Sequence, residues 1–262
     1  MSPAALFEPA GAGFSAAPLT RGPWDERMMH GGAPAALLAH AIEQTEPGRE
    51  LAVTRLTIDF LGGVPIGPVE IEASVIKPGR RFQVVEAALD AGGRQGCLAR
   101  AVRLQHADMP DAAATPPGAD KAMSPPHTGT TLPPFLVDEH ARFYPDATEI
   151  RHVCGDLGSG HLAAWIRLRG DLLPGCAPSP LVRACAAADF ANGLSWILPI
   201  EDWLFINTDL TVHLHRVPEG EWIGVDARTV SGASGSGLAS GVLHDRQGPF
   251  GTCAQSLFVQ PR

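Results

Sequence analysis

The sequence predicts an α+β fold made of two tandem units, each a helix laid on an antiparallel sheet. Three observations predict it. The order helix-then-four-strands occurs twice, segments of the two halves match locally, and a proline-rich stretch separates them. RLTIDFLGGVPIG (Arg55–Gly67) lies over DLTVHLHRVPEG (Asp209–Gly220), and the turn DAGGRQ resembles HDRQG at the equivalent place. The units are bounded at 1–105 and 135–262, with a linker over 106–134. One helix on four or five strands leaves an unpaired sheet edge that a second copy can cover. The two units are therefore expected to share one long curved sheet, with ligand sites at the seam between them.

In the first unit, Ser15–Trp24 reads as a short strand and a proline-containing loop. A helix follows from Gly32 to near Gly48, carrying Leu37, Leu38, Ala41 and Ile42 on its apolar side. Its glycine-bracketed start offers bare backbone N–H groups to an anion or a carbonyl oxygen, or serves only as a tight turn before a packed helix. LAVTRLTIDFL, VEIEASVI, RFQVVEAALD and GCLARAVRLQ alternate or are rich in β-branched residues, so they read as four strands. Seven of the 24 prolines fall between His106 and Pro134, where large apolar residues are scarce, so an extended linker crossing the surface is expected there. In the second unit, ATEIRHVCGD and HLAAWIRLRG read as strands ahead of a helix. FINTDLTVHLHR, EWIGVDARTV, GLASGVLHD and GTCAQSLFV follow it as four more.

The helix beginning at Ser179 carries the strongest functional signal. Ser179 suits the N-cap and Pro180 the first helical turn. Leu181, Cys185, Ala188, Asn192 and Trp196 share one face, and Asp189 lies on it, the only carboxylate between Asp171 and Glu201. A lone carboxylate on an apolar stripe is costly unless paired, and such conflicts concentrate at functional sites. Gln255 breaks the pattern of the last strand in the same way, on the parity of Cys253, Leu257 and Val259. Two misplaced polar groups can satisfy each other. In the first unit Arg100 stands near the position of Gln255 and no acid is found at that of Asp189, so one active site is expected from two ancestral ones.

Composition narrows the function. With 45% hydrophobic residues in 262, the chain can build a substantial core. A net charge of −8 supplies no basic field for nucleic acid; a small anionic ligand needs only a few arginines such as Arg55, Arg80 or Arg81, though these three read as ordinary solvated strand-end residues. Five cysteines without a CxxC pair fit a reducing compartment, with Cys97, Cys185 and Cys253 as small core residues. The N-terminal stretch reads as no signal peptide and no run is long enough to span a bilayer, so the expected location is cytoplasmic without membrane association. No GxSxG elbow or P-loop is present, and VSGASGSGLASG reads as a turn. His213 and His215 share a strand face without an acidic third ligand, so no metal is expected.

RMMHGGAPAALLAHAIE, AADFANGLSW, FINTDLTVHLHRVP and AQSLFV, in this order and spacing, resemble the acyl-CoA thioesterase II type and its thioesterase-like relatives. The resemblance covers nearly the whole chain. It implies a double hotdog fold, an acyl-CoA substrate and hydrolysis of the thioester by a water held by an acid, a hydroxyl residue and a glutamine. The acid falls on Asp189 and the glutamine on Gln255. The hydroxyl position falls on Asn207, a departure from the family pattern, with Thr208 beside it and usable only if a bulge redirects it. Asn207 can still orient a water. His30, Gly31 and Gly32 are then candidate substrate-binding residues, with backbone N–H groups for the oxyanion. No cofactor is implied. Hotdog hydratases pair an Asp with a His five residues on, a position held here by Leu194. A non-catalytic acyl-thioester binding protein is the alternative, and homo-oligomers are compatible with exposed sheet edges.

Overall fold

The computed structural model describes residues 4–46, 50–107, 109–119, 121–132 and 140–262. In the first half, a hairpin of β1 (Phe7–Ala10) and β2 (Gly13–Ala16) precedes helix α1 (Gly32–Gln44). Strands β3 (Leu51–Phe60), β4 (Pro68–Lys77), β5 (Phe82–Ala91) and β6 (Arg94–Gln105) follow. The second half has the short β7 (Thr130–Thr131), then β8 (Thr148–Asp156) and β9 (His161–Leu168), before helices α2 (Pro180–Ala188) and α3 (Phe190–Leu194). It ends with β10 (Trp203–Asn207), β11 (Asp209–Leu214), β12 (Ile223–Ser231), β13 (Ser236–Asp245) and β14 (Gly248–Pro261).

All the strands join one antiparallel sheet in the order β1-β2-β4-β5-β6-β3-β11-β14-β13-β12-β9-β8-β7, with β10 also on β14. The halves follow the same permutation and meet where β3 pairs with β11. The middle pair of that seam is Thr57 with Thr211, whose hydroxyls lie 3.2 Å apart. These are the two threonines that the internal repeat superposes, so a pseudo-twofold axis passes between them. The expected double hotdog architecture is present: two copies of helix on sheet, fused edge to edge.

Helix α1 starts where Pro34, in the first turn, costs no hydrogen bond. It stops at Thr45, whose N–H returns to the Ala41 and Ile42 carbonyls. Gly48, the predicted end, lies outside the described residues. The Ser179 cap forms as expected, with its Oγ accepting the Val182 N–H at 3.1 Å. The second helix is broken at Asp189 and finishes at Leu194, so Trp196 lies beyond it. Burial is also not confined to one stripe. Ala184 and Ala186–Ala188 are buried along with Leu181 and Val182, because α1 packs on one side of α2 and the sheet on another. Alanines on both helices permit that close approach. Leu37, Leu38, Leu56, Ile58, Leu89 and Ile150 fill the space between helices and sheet.

Several expectations need correction. The strand expected over Ser15–Trp24 is instead the second arm of the β1–β2 hairpin, turned at Gly11 with φ +60°, and Pro18–Thr20 is a 3₁₀ turn. The linker is more ordered than an extended crossing. It holds 3₁₀ turns at Pro110–Ala112 and Pro126–Thr128, its Ser124 carbonyl accepts from Trp165 Nε1 at 2.7 Å, and β7 pairs with β8. Its boundary at 134/135 falls outside the described residues. Arg100 faces outward in an ion pair with Glu86, while Ala99 and Ala101 take the buried positions of β6.

Candidate active site

Four elements bring the polar exceptions together at the first seam. Asp189 occupies the break between α2 and α3 with ordinary helical angles (φ −65°, ψ −17°) and its carboxylate caps neither helix. It turns to the start of α1, where the partial positive charge of the helix end favours an anion. Gly31 makes this approach possible. A Cβ there would lie 2.8 Å and 2.9 Å from the two carboxylate oxygens. Gly32 serves packing: a Cβ on it would meet the Ala186 carbonyl at 2.8 Å.

The carboxylate is 6% exposed as a residue and is held by three side chains. Asn207 Nδ2 donates to Oδ1 at 2.9 Å and Gln255 Nε2 donates to the same oxygen at 3.2 Å. His30 Nδ1 stands 3.0 Å from Oδ2. The Gly32 N–H also lies 3.0 Å from that nitrogen, and one ring nitrogen cannot accept from Gly32 and donate to Asp189 together. A bare Nδ1 lone pair would repel the carboxylate oxygen at this distance, so Nδ1–H donating to Oδ2 is the stable tautomer. The imidazole is fixed by Phe143 and Phe190, with ring centroids 4.7 Å and 4.6 Å away.

Gln255 is fully buried, and its Oε1 accepts the Asn192 N–H at 3.0 Å, so both ends of the amide are engaged. Asn192 spends its Nδ2 on the Phe205 carbonyl at 3.0 Å, leaving Oδ1 buried with no partner among the described residues. The sequence placed Asn192 beside Asp189 but not as a candidate in its own right. Its position three residues on was the available signal.

A bulge decides between Asn207 and Thr208. Asn207 pairs with Leu257, but Thr211 pairs with Ala254, so one extra residue is inserted between them. Asp209 Oδ1 fills the gap by accepting the Ser256 N–H at 2.7 Å. Phe205 and Asn207 therefore share the inner face before the bulge and Leu210 and Val212 after it. Thr208 is exposed, and its hydroxyl donates to the Ser256 carbonyl at 3.3 Å. It borders the cavity mouth without joining the carboxylate.

That cavity, of about 500 Å³, opens beside Asp189 between the two units. Its walls include Trp24, Met28, Met29, Phe60, Phe190 and Phe258, with Gly31, Asn192 and Asn207 at the polar end. Such apolar concavities with a few convergent polar groups are the usual form of small-molecule sites. Among the described residues the Gly31 N–H has no partner, making it a donor available at this end. The neighbouring thiols are not nucleophiles: burial, and then the Asp189 charge, pushes Cys97 and Cys253 up to about 12. Among the described residues no group of three His, Cys, Asp or Glu side chains is arranged to hold a metal ion. Among the described residues no helix is long and apolar enough to cross a membrane.

Residues 20–105 match the acyl-CoA thioesterase N-terminal domain and residues 107–259 the acyl-CoA thioesterase C-terminal domain. No curated protein sequence matches the chain. Among solved structures, it is similar to a protein of unknown function with a hot dog fold from Alicyclobacillus acidocaldarius. Identity there is 16%, over 97% of this chain and 95% of that one, with a TM-score of 0.74. It is also similar to the acyl-CoA thioesterase II TesB2 of Mycobacterium marinum, at 17% identity over 89% and 90% of the chains and a TM-score of 0.65. A tesB protein of Mycobacterium avium subsp. paratuberculosis gives 17%, 97% and 96%, and 0.68. These likenesses establish the shared fold, and the two domain matches, in order and spanning most of the sequence, place the chain in the acyl-CoA thioesterase family of thioester hydrolases.

Proposed function

We propose that the protein hydrolyses acyl-CoA by direct attack of a water that Asp189 activates. The observation that carries this reading is a buried carboxylate held by three donors at the polar end of an apolar cavity. The acyl chain lies along that cavity. Oδ1 already accepts from Asn207 and Gln255, and Oδ2 has a lone pair left beyond His30. A water bonded there gives its proton to Asp189 as its oxygen attacks the carbonyl carbon. The oxyanion is stabilised by the Gly31 N–H at the α1 start. When the tetrahedral intermediate collapses, the C–S bond breaks and the thiolate takes the proton from Asp189.

The supporting side chains take different roles. Asn207 holds the carboxylate and has a carbonyl oxygen to orient the water, and the unpartnered Asn192 Oδ1 can accept its second hydrogen. Gln255 is a positioning residue, because its amide is spent on Asp189 and on the Asn192 backbone. His30 fixes Oδ2 through its Nδ1–H. Thr208 plays no part in the proton transfer.

A second reading, an acyl-thioester binder without turnover, is favoured by one observation. The amides expected to hold the water, Gln255 and Asn207, both donate to Asp189 instead. Thiol release from acyl-CoA substrates of graded chain length decides between the readings, with wild type beside Asp189→Asn. Loss of general-base catalysis should lower kcat by about 10²-fold or more. Unchanged turnover in Asp189→Asn, or none in wild type with any chain length, would sink the hydrolytic reading.

A further inference from the structure

The pseudo-twofold axis relates the first seam to a second, at the other ends of the helices. Placing Pro34 on Pro180 sets Glu43 on Asp189, so an acid does stand at the position expected to lack one. The seam register, centred on Thr57 and Thr211, sets Thr54 on Thr208, and β3 carries its own irregularity there, between Val53 and Arg55. It also sets Val53 on Asn207 and Ala101 on Gln255. An acid stands at both positions, while both amides that grip Asp189 have apolar counterparts. Glu43 meets the start of the opposite helix as Asp189 does, accepting from Ser179 Oγ at 2.6 Å.

This seam also holds a cavity, of about 280 Å³, bounded by Glu43, Leu51, Val53, Arg103, Leu181 and Leu214. Arg103 is 4% exposed, on the inward parity of β6. Its Nη1 donates to the Thr45 carbonyl at 2.8 Å and to Gln83 Oε1 at 3.1 Å. Its Nη2 is buried with no partner among the described residues. A buried donor left unmade is costly, and a site that contains one is incomplete without an acceptor.

We propose that this second cavity is a non-catalytic binding site for a neutral, short acyl compound. Its carbonyl oxygen accepts from Arg103 Nη2 and its chain lies against Val53, Leu181 and Leu214. The charges select the class. Glu43 and Glu46 both border the cavity with Arg103, so a carboxylate ligand would be repelled by two acids whereas an uncharged carbonyl would not. Burial raises the Glu43 carboxyl above its usual range against the pull of Ser179, Arg103 and Arg183. With Val53 and Ala101 in place of the amides, Glu43 keeps its bond from the Ser179 hydroxyl but lacks the counterparts of Asn207 and Gln255 that would position it and a water for hydrolysis.

The test is a methyl-labelled NMR titration of the full chain with hexanamide, and with hexanoate as the charged comparison. Hexanamide should shift the methyls of Val53, Leu181 and Leu214. The Arg103→Met variant should weaken that response about tenfold, and Val53→Phe, which keeps Arg103 and fills the cavity, should abolish it. Met28 and Met29 report the first cavity separately, so a failure at one seam is not read as a failure at the other. No shift at the second-cavity methyls in wild type would overturn the inference whatever the methionines do. So would an undiminished response in both variants, or hexanoate binding there more tightly than hexanamide.

Discussion

Replacing Gly31 by alanine tests the geometry of the site with one methyl group. The backbone at Gly31 is helical, φ −56° and ψ −27°, so alanine is conformationally acceptable and any penalty is steric. The new Cβ would lie 2.8 Å and 2.9 Å from the Asp189 oxygens, about 0.6 Å inside ordinary contact with the nearer. The carboxylate cannot yield freely, because Asn207, Gln255 and His30 hold it. Overpacking of this kind costs about 1–3 kcal/mol, and a displaced catalytic group can lose about 10²-fold in rate. The assay pairs kcat/KM for an acyl-CoA with denaturant unfolding. Gly63→Ala is the stability control, since its Cβ would meet the flexible Met28 thioether at 3.2 Å and should leave unfolding near wild type. Placing Gly31→Ala in an Asp189→Ala background should erase the stability penalty. An equal penalty in that background, or full kcat in the single variant, would refute the steric argument.

Other consequences follow from the same contacts. Asn207→Ala removes a donor from a buried carboxylate and should lower kcat/KM about tenfold or more, since bonds to charged groups contribute about 1.5–3 kcal/mol; steady-state kinetics on a folded variant measures it. Thr208→Val should change kcat/KM less than about threefold, because its hydroxyl serves only the exposed Ser256 carbonyl. Asp245, fully buried, accepts from Arg216 Nη2 at 2.7 Å and from the Glu219 and Gln247 N–H groups. Burial alone would raise its carboxyl, but these partners hold it below the ordinary range. A lowered folded-state value means the stabilisation is complete above the unfolded-state pKa, about 3.9, and is lost as pH falls through the folded one. Asp245→Asn should therefore destabilise the protein at pH 7, with a smaller difference at pH 3, as chemical denaturation at both pH values would reveal.

Asp189 and Gln255 were legible in the sequence because each breaks an apolar pattern that burial enforces. Duplication was legible for the same reason: Arg55–Gly67 and Asp209–Gly220 keep the periodicity of one strand and turn. The partner His30 was harder, since 159 residues separate it from Asp189 and only packing of α1 on α2 joins them. The choice of Asn207 over Thr208 depended on a bulge, which shifts side-chain parity by one residue and leaves little trace in composition. Arg103 and Gln83 broke the inward parity of their strands as clearly as Gln255 does. Both sit near strand ends, where polar residues ordinarily reach solvent, so neither stands out in the sequence. Glu43 is hidden because the matching segments of the repeat lie in strands and turns; the helices superpose on Pro34 and Pro180.

The most direct test of the account is a single-turnover hydrolysis of acyl-CoA in H₂¹⁸O, with the released acid read by mass spectrometry. Direct attack by the water on Asp189 predicts that the acid from the first turnover carries ¹⁸O and that the protein gains none. Unlabelled acid in the first turnover, with ¹⁸O in the Asp189 carboxylate, would contradict it and make Asp189 a nucleophile.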